Sequence, residues 1–352
     1  MKSKEVNGKF KVVIFEDNVT TAQQIIKFIE DNSKHEIQIE CEWYNPNGTG
    51  VEKYLENDES IGMVALDWDL TKYKKFVSRQ AIEGVCDELG IPICIYPYAS
   101  TLEEKIRRMK RWDENKIWLR DFKTIEDLEK KLLSVAIGFA YIRNKLDRSE
   151  QPRINLGNLL NEILHTPDEA QINIDQYLWS RFRPLQLIES KNSKSNRMIS
   201  ALIGYWIYNV LLQFPGPIVS KGAASSYLDI LESDFEKSEI NDIFSDAMYL
   251  GPFKETGPYW WTRKIDVILA SNTTNEDKEV ISGFILAERK LLGVSHSRCF
   301  ANHDVAGYYC IIRQTPVCEI HSVNPSGWVP PGADLTRIEK RKYEELSPWI
   351  DL

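Results

Sequence analysis

The chain has 352 residues, of which 43% are hydrophobic and 27% are charged, and its formal net charge is −8. These values predict a globular protein of about two domains, and the negative charge argues against non-specific binding to nucleic acid. We expect a cytoplasmic protein, because the sequence shows no signal-peptide core and no membrane span. Its six scattered cysteines indicate free thiols or metal ligands in a reducing compartment.

Strand and helix patterns alternate between about residue 9 and residue 145. Short apolar runs typical of buried strands occur in KVVIF, GMVAL, IPICIY and KIWL, and EIQIECEWY alternates as a strand does. Each strand is followed by a segment with helical spacing; Gly90 should end the third helix, and Thr124 should cap the fifth. We therefore predict an α/β domain with a doubly wound, five-stranded parallel sheet.

Acidic residues stand where the first and third strands end. Glu16 and Asp17 follow VVIF, and Asp67 follows MVAL. The ligand site of such sheets lies beyond the carboxyl ends of the strands, so these three carboxylates should meet at one rim. They would repel one another without a cation between them, and all-oxygen ligands suit Mg²⁺. A rim site between the first and third strands also predicts the strand order 2-1-3-4-5.

This segment resembles the receiver domain of two-component response regulators. VVIFEDN is similar to the first strand of that family with its acidic pair, and VALDWDL is similar to the third strand. The resemblance implies a flavodoxin-like fold in which Glu16 and Asp17 bind Mg²⁺ and Asp67 accepts a phosphoryl group. It also implies that the backbone carbonyl of Asp69 binds the metal. A carboxylate beside Mg²⁺ can attack phosphorus, which is the chemistry this role needs.

Two positions depart from the family's pattern. Receivers usually carry Thr or Ser at the end of the fourth strand, whereas this chain has Pro97, with Ser100 three residues later. Receivers end the fifth strand with Lys-Pro, whereas this chain has Arg120 and Asp121. The planar guanidinium group of arginine therefore replaces the compact ammonium group of lysine. Two alternatives stay open: weak phosphorylation of Asp67 with Arg120 in the lysine's role, or a receiver-shaped docking domain that is not phosphorylated.

The expected fourth helix, TLEEKIRRMKRWDE, is rich in basic residues. In receivers this side of the domain is a common surface for a homodimer or another partner. A solvated charged face is the other interpretation, and the net negative charge of the chain disfavours a nucleic-acid site here. The basic residues are Lys105, Arg107, Arg108, Lys110 and Arg111.

The polar segment NKLDRSEQPR predicts a boundary between a receiver-like domain, residues 1–146, and a second domain, residues 153–352. Helical patterns such as INLGNLLNEIL and RMISALIGYWIYNVLLQF predict that the second domain is mostly α, with a small C-terminal β element. It does not read as a helix-turn-helix output module, and common phosphate-loop and zinc-protease motifs are missing from the sequence.

Asp266 and the pair Glu288-x-Lys290 suggest a Mg²⁺-dependent nuclease as one alternative for the second domain. That chemistry needs two carboxylates on the metal and a lysine near the attacked phosphate. The apolar residues between Val280 and Leu291 also fit one helical face, which would leave Glu288 and Lys290 in solvent. This second interpretation favours a domain without enzymatic activity.

Residues 296–321 contain three of the five histidines and three of the six cysteines. Cys-x3-His and Cys-x2-His pairs in this segment have the spacing of two halves of a tetrahedral Zn²⁺ site, with a structural role because protein would fill all four positions. The alternative is a β-hairpin whose cysteines pack as small apolar groups. The candidate ligands are Cys299, His303, Cys318 and His321, with His296 and Cys310 as further candidates.

These features favour a signalling protein. The resemblance implies that a histidine kinase, or a related ATPase-type sensor, modifies or binds the receiver-like domain and so changes the protein contacts of the second domain. Signalling of this kind is mostly bacterial and cytoplasmic. The alternatives are an effector nuclease and a scaffold without a switch. Mg²⁺ is the expected cofactor, Zn²⁺ is a further candidate, and no membrane partner is expected.

Overall fold

The computed structural model describes residues 10–33, 37–45, 48, 50–70, 78–96, 115–119, 122, 124–148, 156–170, 193–274, 279–324, 329–330 and 332–350. The chain divides into two compact units, which are described separately. Of the described residues, the first unit contains those within 10–96, 115–148 and 193–207, and the second contains those within 156–170 and 208–350. No helix in these ranges is long and apolar enough to cross a membrane.

The first unit is built on one parallel sheet. Its strands are β1 Phe10–Phe15, β2 Ile39–Trp43, β3 Ile61–Asp67, β4 Ile93–Tyr96 and β5 Ile117–Trp118. The order is β2-β1-β3-β4-β5 and every neighbouring pair is parallel, which confirms the predicted topology. The central strands β1, β3 and β4 are almost wholly buried, as their continuous apolar runs require.

The helices of this sheet begin and end at residues with clear physical roles. They are α1 Val19–Asn32, α2 Val51–Glu56, α3 Arg79–Leu89 and α4 Ile125–Arg148. Gly90 ends α3 with a left-handed φ of 67°, and the Thr124 hydroxyl accepts a hydrogen bond from the backbone N–H of Asp127 at 3.1 Å, both as predicted. The expected basic helix TLEEKIRRMKRWDE lies outside the described residues.

One more helix, α6 Ser193–Trp206, belongs to the first unit. The sequence pattern places it in a second domain over 153–352, but the structure packs it against α4 and α3. The Tyr205 hydroxyl accepts a hydrogen bond from the backbone N–H of Ile93 at 2.7 Å. Arg197 donates to the backbone carbonyl of Glu59 at 2.8 Å. A polar linker marks where a chain leaves a unit but not where it returns, which explains the difference.

The second unit combines short helices with two small sheets. Its strands are β6 Ile218–Ser220, β7 Tyr259–Trp261, β8 Tyr308–Cys310, β9 Thr315–Val317, β10 Ser322–Val323 and β11 Thr336–Glu339. The first two pair with each other, and the other four form a sheet in the order β10-β11-β8-β9. Trp260, Phe235 and Phe244 lie in its apolar core. Its α-helices are α5 Leu156–Leu164, α7 Lys221–Tyr227, α8 Glu232–Phe235, α9 Ser238–Ile243, α10 Thr262–Ser271, α11 Gly283–Lys290 and α12 Lys340–Ile350.

Candidate functional site

Three carboxylates converge at the carboxyl-end rim of the parallel sheet. Glu16, Asp17 and Asp67 each offer an oxygen, and these oxygens all lie within 4.8 Å of one another. Glu16 and Asp17 follow β1 directly, and Asp67 is the last residue of β3. The two strands are neighbours, with Phe15 opposite Leu66, so their ends lie side by side. The structure thus brings together the three acidic residues that the sequence pattern singles out.

The carboxyl group of Asp67 has a perturbed pKa. Burial raises the pKa of Asp67 to about 7, and the negative charge of Glu16 adds to the increase. The backbone N–H of Asp69 donates to the Asp67 carboxylate and lowers the pKa in part, while the charges of Asp17 and Asp69 raise it further. Near neutral pH, a proton and a cation therefore compete for the same oxygens, and a bound cation favours the carboxylate.

Glu16 is held in place from three directions. One of its carboxylate oxygens accepts a hydrogen bond from the backbone N–H of Asn18 at 3.0 Å, and the other accepts one from the Tyr96 hydroxyl at 3.1 Å. Its backbone carbonyl accepts a hydrogen bond from Trp43 Nε1 at 2.9 Å. A carboxylate has about four lone-pair sites, so these contacts orient Glu16 and still leave it able to bind a cation.

Sequence reasoning missed Tyr96. This residue ends β4 and lies opposite Asp67 in the register of β3 and β4, which places its side chain at the rim. The available signal is its position as the last residue of the strand IPICIY, one residue before Pro97. The rim therefore contains a hydroxyl at the end of the fourth strand, although it belongs to a tyrosine that is bonded to Glu16.

The remaining receiver-like positions contribute less to the described rim. Asp69 is exposed, and its side chain does not belong to the group of three carboxylates. Pro97, Ser100, Arg120 and Asp121 lie outside the described residues.

An aromatic and cationic cluster follows Asp67 in the chain. The ring centroid of Trp68 lies 5.2 Å from that of Trp118, and the guanidinium carbon of Arg79 lies 3.8 Å above the Trp68 ring. Arg79 and Lys116 each form an ion pair of 3.1 Å with Glu83. The sequence pattern does not reveal this cluster, because its members come from three separate segments. The cluster places the positive charges of Arg79 and Lys116 close to the ends of β3 and β5, next to Trp68 and Trp118.

A second group with metal-ligand chemistry lies in the second unit. Cys299, Cys318 and His321 each offer one ligand atom, and these three atoms lie within 4.8 Å of one another. The Cys318 sulfur is 3.2 Å from His321 Nδ1. Burial raises the pKa of the Cys318 thiol, whereas hydrogen bonds from the backbone N–H groups of His321 and Ile320 lower it.

The other candidate zinc ligands are engaged elsewhere. His303 is exposed, has a left-handed φ of 63° and lies outside the group of three, so the predicted set of four ligands is not assembled. The buried sulfur of Cys310 accepts hydrogen bonds from the backbone N–H groups of Arg313 and Glu339. His296 Nδ1 lies 2.7 Å from a carboxylate oxygen of Asp229.

The residues suggested for a nuclease are not brought together as a metal site. Asp266 accepts a hydrogen bond of 2.6 Å from the Tyr227 hydroxyl. Glu288 and Lys290 are exposed on α11, as the amphipathic-helix interpretation expects. Among the residues that the structure describes, the groups that could hold a metal ion include neither Asp266 nor Glu288.

Comparisons with protein-family models, with curated proteins and with solved structures found no match to this chain. The order of the parallel sheet and the three carboxylates at its rim are therefore the observations from which a function is proposed.

Proposed function

We propose that this chain is a signalling protein whose first unit accepts a phosphoryl group on Asp67 in the presence of Mg²⁺. One observation carries the proposal: Glu16, Asp17 and Asp67 converge within 4.8 Å at the rim between β1 and β3. Three hard oxygen donors in one place suit Mg²⁺. Burial raises the pKa of Asp67 and the neighbouring carboxylates of Glu16 and Asp17 raise it further, and a bound cation would offset both effects.

Asp67 is the proposed nucleophile. Its carboxylate oxygen attacks the phosphorus of a phosphohistidine or a small phosphodonor and forms a new O–P bond. The bond between phosphorus and the donor breaks, and the donor atom, the imidazole nitrogen in phosphohistidine, leaves with the electron pair. Mg²⁺, held by Glu16, Asp17 and Asp67, would neutralise the charge that develops on the phosphoryl oxygens. The hydrogen bond from the Asp69 backbone N–H to Asp67 orients the attacking carboxylate.

The proposed donor is a histidine kinase or a related ATPase-type sensor, and the proposed response is a change in the protein contacts of the second unit. The signalling class is mostly bacterial and cytoplasmic, and we propose the same setting here. We propose that the second unit is an output domain that acts through protein contacts; the nuclease alternative is less favoured, because neither Asp266 nor Glu288 belongs to a possible metal-binding group among the described residues. The net charge of −8 supports a protein partner over nucleic acid.

Phosphorylation should be weak. The usual hydroxyl is replaced by Pro97 and the usual lysine by Arg120, and each contact to a phosphoryl group contributes on the order of 1 to 3 kcal/mol. The chain should be incubated with a small phosphodonor, with and without Mg²⁺, and analysed by intact-protein mass spectrometry. Fluoroberyllate binding, which mimics the acyl phosphate, should be followed in parallel by tryptophan fluorescence.

We expect slow labelling that requires Mg²⁺ and disappears in Asp67→Asn. Asp69→Asn is the matched control, because it removes an exposed carboxylate two residues away and keeps the backbone N–H. Labelling that persists in Asp67→Asn would rule out the proposed acceptor. Mg²⁺ binding without any labelling or fluoroberyllate response would instead identify the first unit as a docking module.

A further inference from the structure

We propose that Cys299, Cys318 and His321 bind one Zn²⁺ ion in the second unit and leave its fourth coordination position open to water or another small ligand. This site is independent of the proposed phosphoryl acceptor, since all three ligands belong to the second unit. Two sulfur donors and one imidazole nitrogen lie within 4.8 Å of one another. This donor set selects Zn²⁺ over Mg²⁺, because thiolates are soft ligands.

Two turns bring the ligands together. Cys299 lies in a turn in which its backbone N–H donates to the carbonyl of Asp304 at 2.7 Å, and its own carbonyl accepts from the N–H of His303 at 2.9 Å. Cys318 and His321 lie in the turn between β9 and β10. The backbone N–H of Phe300 donates to the carbonyl of Pro316 at 3.0 Å, which ties the first turn to β9.

The backbone therefore fixes the ligand positions without using the ligand side chains. The hydroxyl of Ser322 adds a hydrogen bond of 2.8 Å to the carbonyl of Cys318, which closes the second turn. The backbone N–H groups of Ile320 and His321 interact with the Cys318 sulfur.

Burial is uneven across the group. Cys299 and Cys318 are buried, whereas His321 is only partly buried, so the group has a protected sulfur side and a side nearer to solvent. His303 is exposed, has a left-handed backbone and lies outside the group of three. Three protein ligands with a fourth position left for water are typical of zinc sites that bind an exogenous ligand, whereas purely structural sites are closed by four.

All six cysteines are free thiols in the structure, so a Cys299–Cys318 disulfide is the main competing use of this pair. The full chain should be purified under reducing conditions and analysed for zinc by mass spectrometry of the metal. We expect one Zn²⁺ per chain in the wild type and loss of most of it in Cys299→Ser, Cys318→Ser and His321→Ala. His303→Ala is the matched control and should keep its zinc.

Cobalt substitution tests the geometry on the unaltered chain, so the result does not depend on whether a variant folds. Co²⁺ in place of Zn²⁺ should give sulfur-to-cobalt charge-transfer absorption and intense visible bands of a tetrahedral site. Adding imidazole should shift the visible bands, because it replaces water at the open position. The same shift should occur in His303→Ala.

The outcomes are decisive in both directions. A chain without zinc that also gives no thiolate–cobalt absorption overturns the metal site, as does a Cys299–Cys318 disulfide found in protein that was purified under reducing conditions and then alkylated after removal of the reductant. Zinc that is lost in His303→Ala, or a cobalt spectrum that imidazole leaves unchanged, overturns the open three-ligand site. Failure here leaves the proposed role of Asp67 untouched, because phosphoryl labelling is measured at a different unit.

Discussion

The hydroxyl of Tyr96 donates a hydrogen bond to a carboxylate oxygen of Glu16 across 3.1 Å, and this contact joins the end of β4 to the end of β1. Both side chains are buried, so the bond forms where water competes poorly. It connects strands that are not neighbours in the sheet, since β3 lies between them. The position of Glu16 is thus set by a residue on the far side of the strand that carries Asp67.

The first prediction concerns this bond. Tyr96→Phe keeps the ring but removes the donor to a buried carboxylate, so the free energy of unfolding should fall by about 1 to 3 kcal/mol. Urea denaturation monitored by circular dichroism measures the change. The same substitution in a Glu16→Ala background should cost clearly less, because the acceptor is already gone. Equal costs in the two backgrounds would mean that the hydrogen bond does not contribute.

The second prediction concerns the pH dependence of stability in the absence of divalent cations. The pKa of Asp67 is raised from 3.8 to about 7, so between these values the folded chain binds more protons than the unfolded chain. Stability from this group should therefore be present below about pH 4 and should fall as the pH rises toward 7. Asp67→Asn should remove this part of the decline and raise the free energy of unfolding at pH 8 by roughly 1 to 2 kcal/mol, allowing for solvent screening at the rim.

Denaturation at several pH values with a chelator, and again with Mg²⁺, measures this effect. Mg²⁺ should stabilise the wild type more at pH 8 than at pH 5, because protons compete with the cation at low pH. Asp69→Asn should keep the decline and shift it only slightly to lower pH, because the charge of Asp69 is the smallest of the effects that raise the pKa of Asp67. A wild-type profile in Asp67→Asn would show that Asp67 does not titrate in this range.

The third prediction concerns Mg²⁺ affinity. Asp17→Asn removes one of the three charged ligands from a partly exposed position, so folding should be preserved while affinity for Mg²⁺ falls on the order of tenfold or more. Isothermal titration calorimetry measures the affinity directly. Glu52→Gln removes an exposed charge on α2 and serves as the control for net charge. A similar loss in both variants would indicate a general electrostatic effect instead of ligation.

The fourth prediction concerns the packing of α6 on the first unit. A methyl group at Gly204 would overlap the ring of Phe139, which is fully buried, so Gly204→Ala should destabilise the chain by about 1 to 3 kcal/mol. Gly84 lies within α3, and a methyl group there meets nothing within 4 Å. Gly84→Ala should therefore stabilise by about 0.5 to 1 kcal/mol through helix propensity alone.

Thermal and urea denaturation of the two variants measure both effects under the same conditions. If Gly204→Ala leaves the free energy of unfolding unchanged, α6 does not pack tightly on Phe139 in solution. Gly84→Ala reports whether the assay resolves changes of this size, because its expected effect has the opposite sign.

Much of the first unit can be predicted from the sequence because its signals are local. The runs VVIF and MVAL are continuous and apolar, and the acids that follow them mark the ends of β1 and β3. Parallel pairing then brings Glu16, Asp17 and Asp67 to one rim. The contact between Tyr96 and Glu16 could not be predicted, because it depends on the register of β4 and on side-chain directions across 80 residues of chain.

The second unit was harder to predict because its informative contacts are not local. The spacing of the Cys/His pairs indicates a ligand set, but His303 lies outside the group and has a left-handed backbone. Such a conformation is unusual for a residue with a Cβ and leaves no clear mark in the sequence. Likewise, α6 carries an ordinary amphipathic pattern, which does not say which unit its apolar face covers.

The return of the chain to the first unit at α6 has a consequence for synthesis. The hydrogen bond between Ile93 and Tyr205 closes a loop of 112 residues, so the start of β4 obtains this partner only after Tyr205 has left the ribosome. Until then the part of α4 around Phe139 lacks the contact that α6 makes with it in the finished protein. All five strands of the sheet are therefore synthesised early, but the first unit is completed late, because residues 156–170 of the second unit are synthesised before α6.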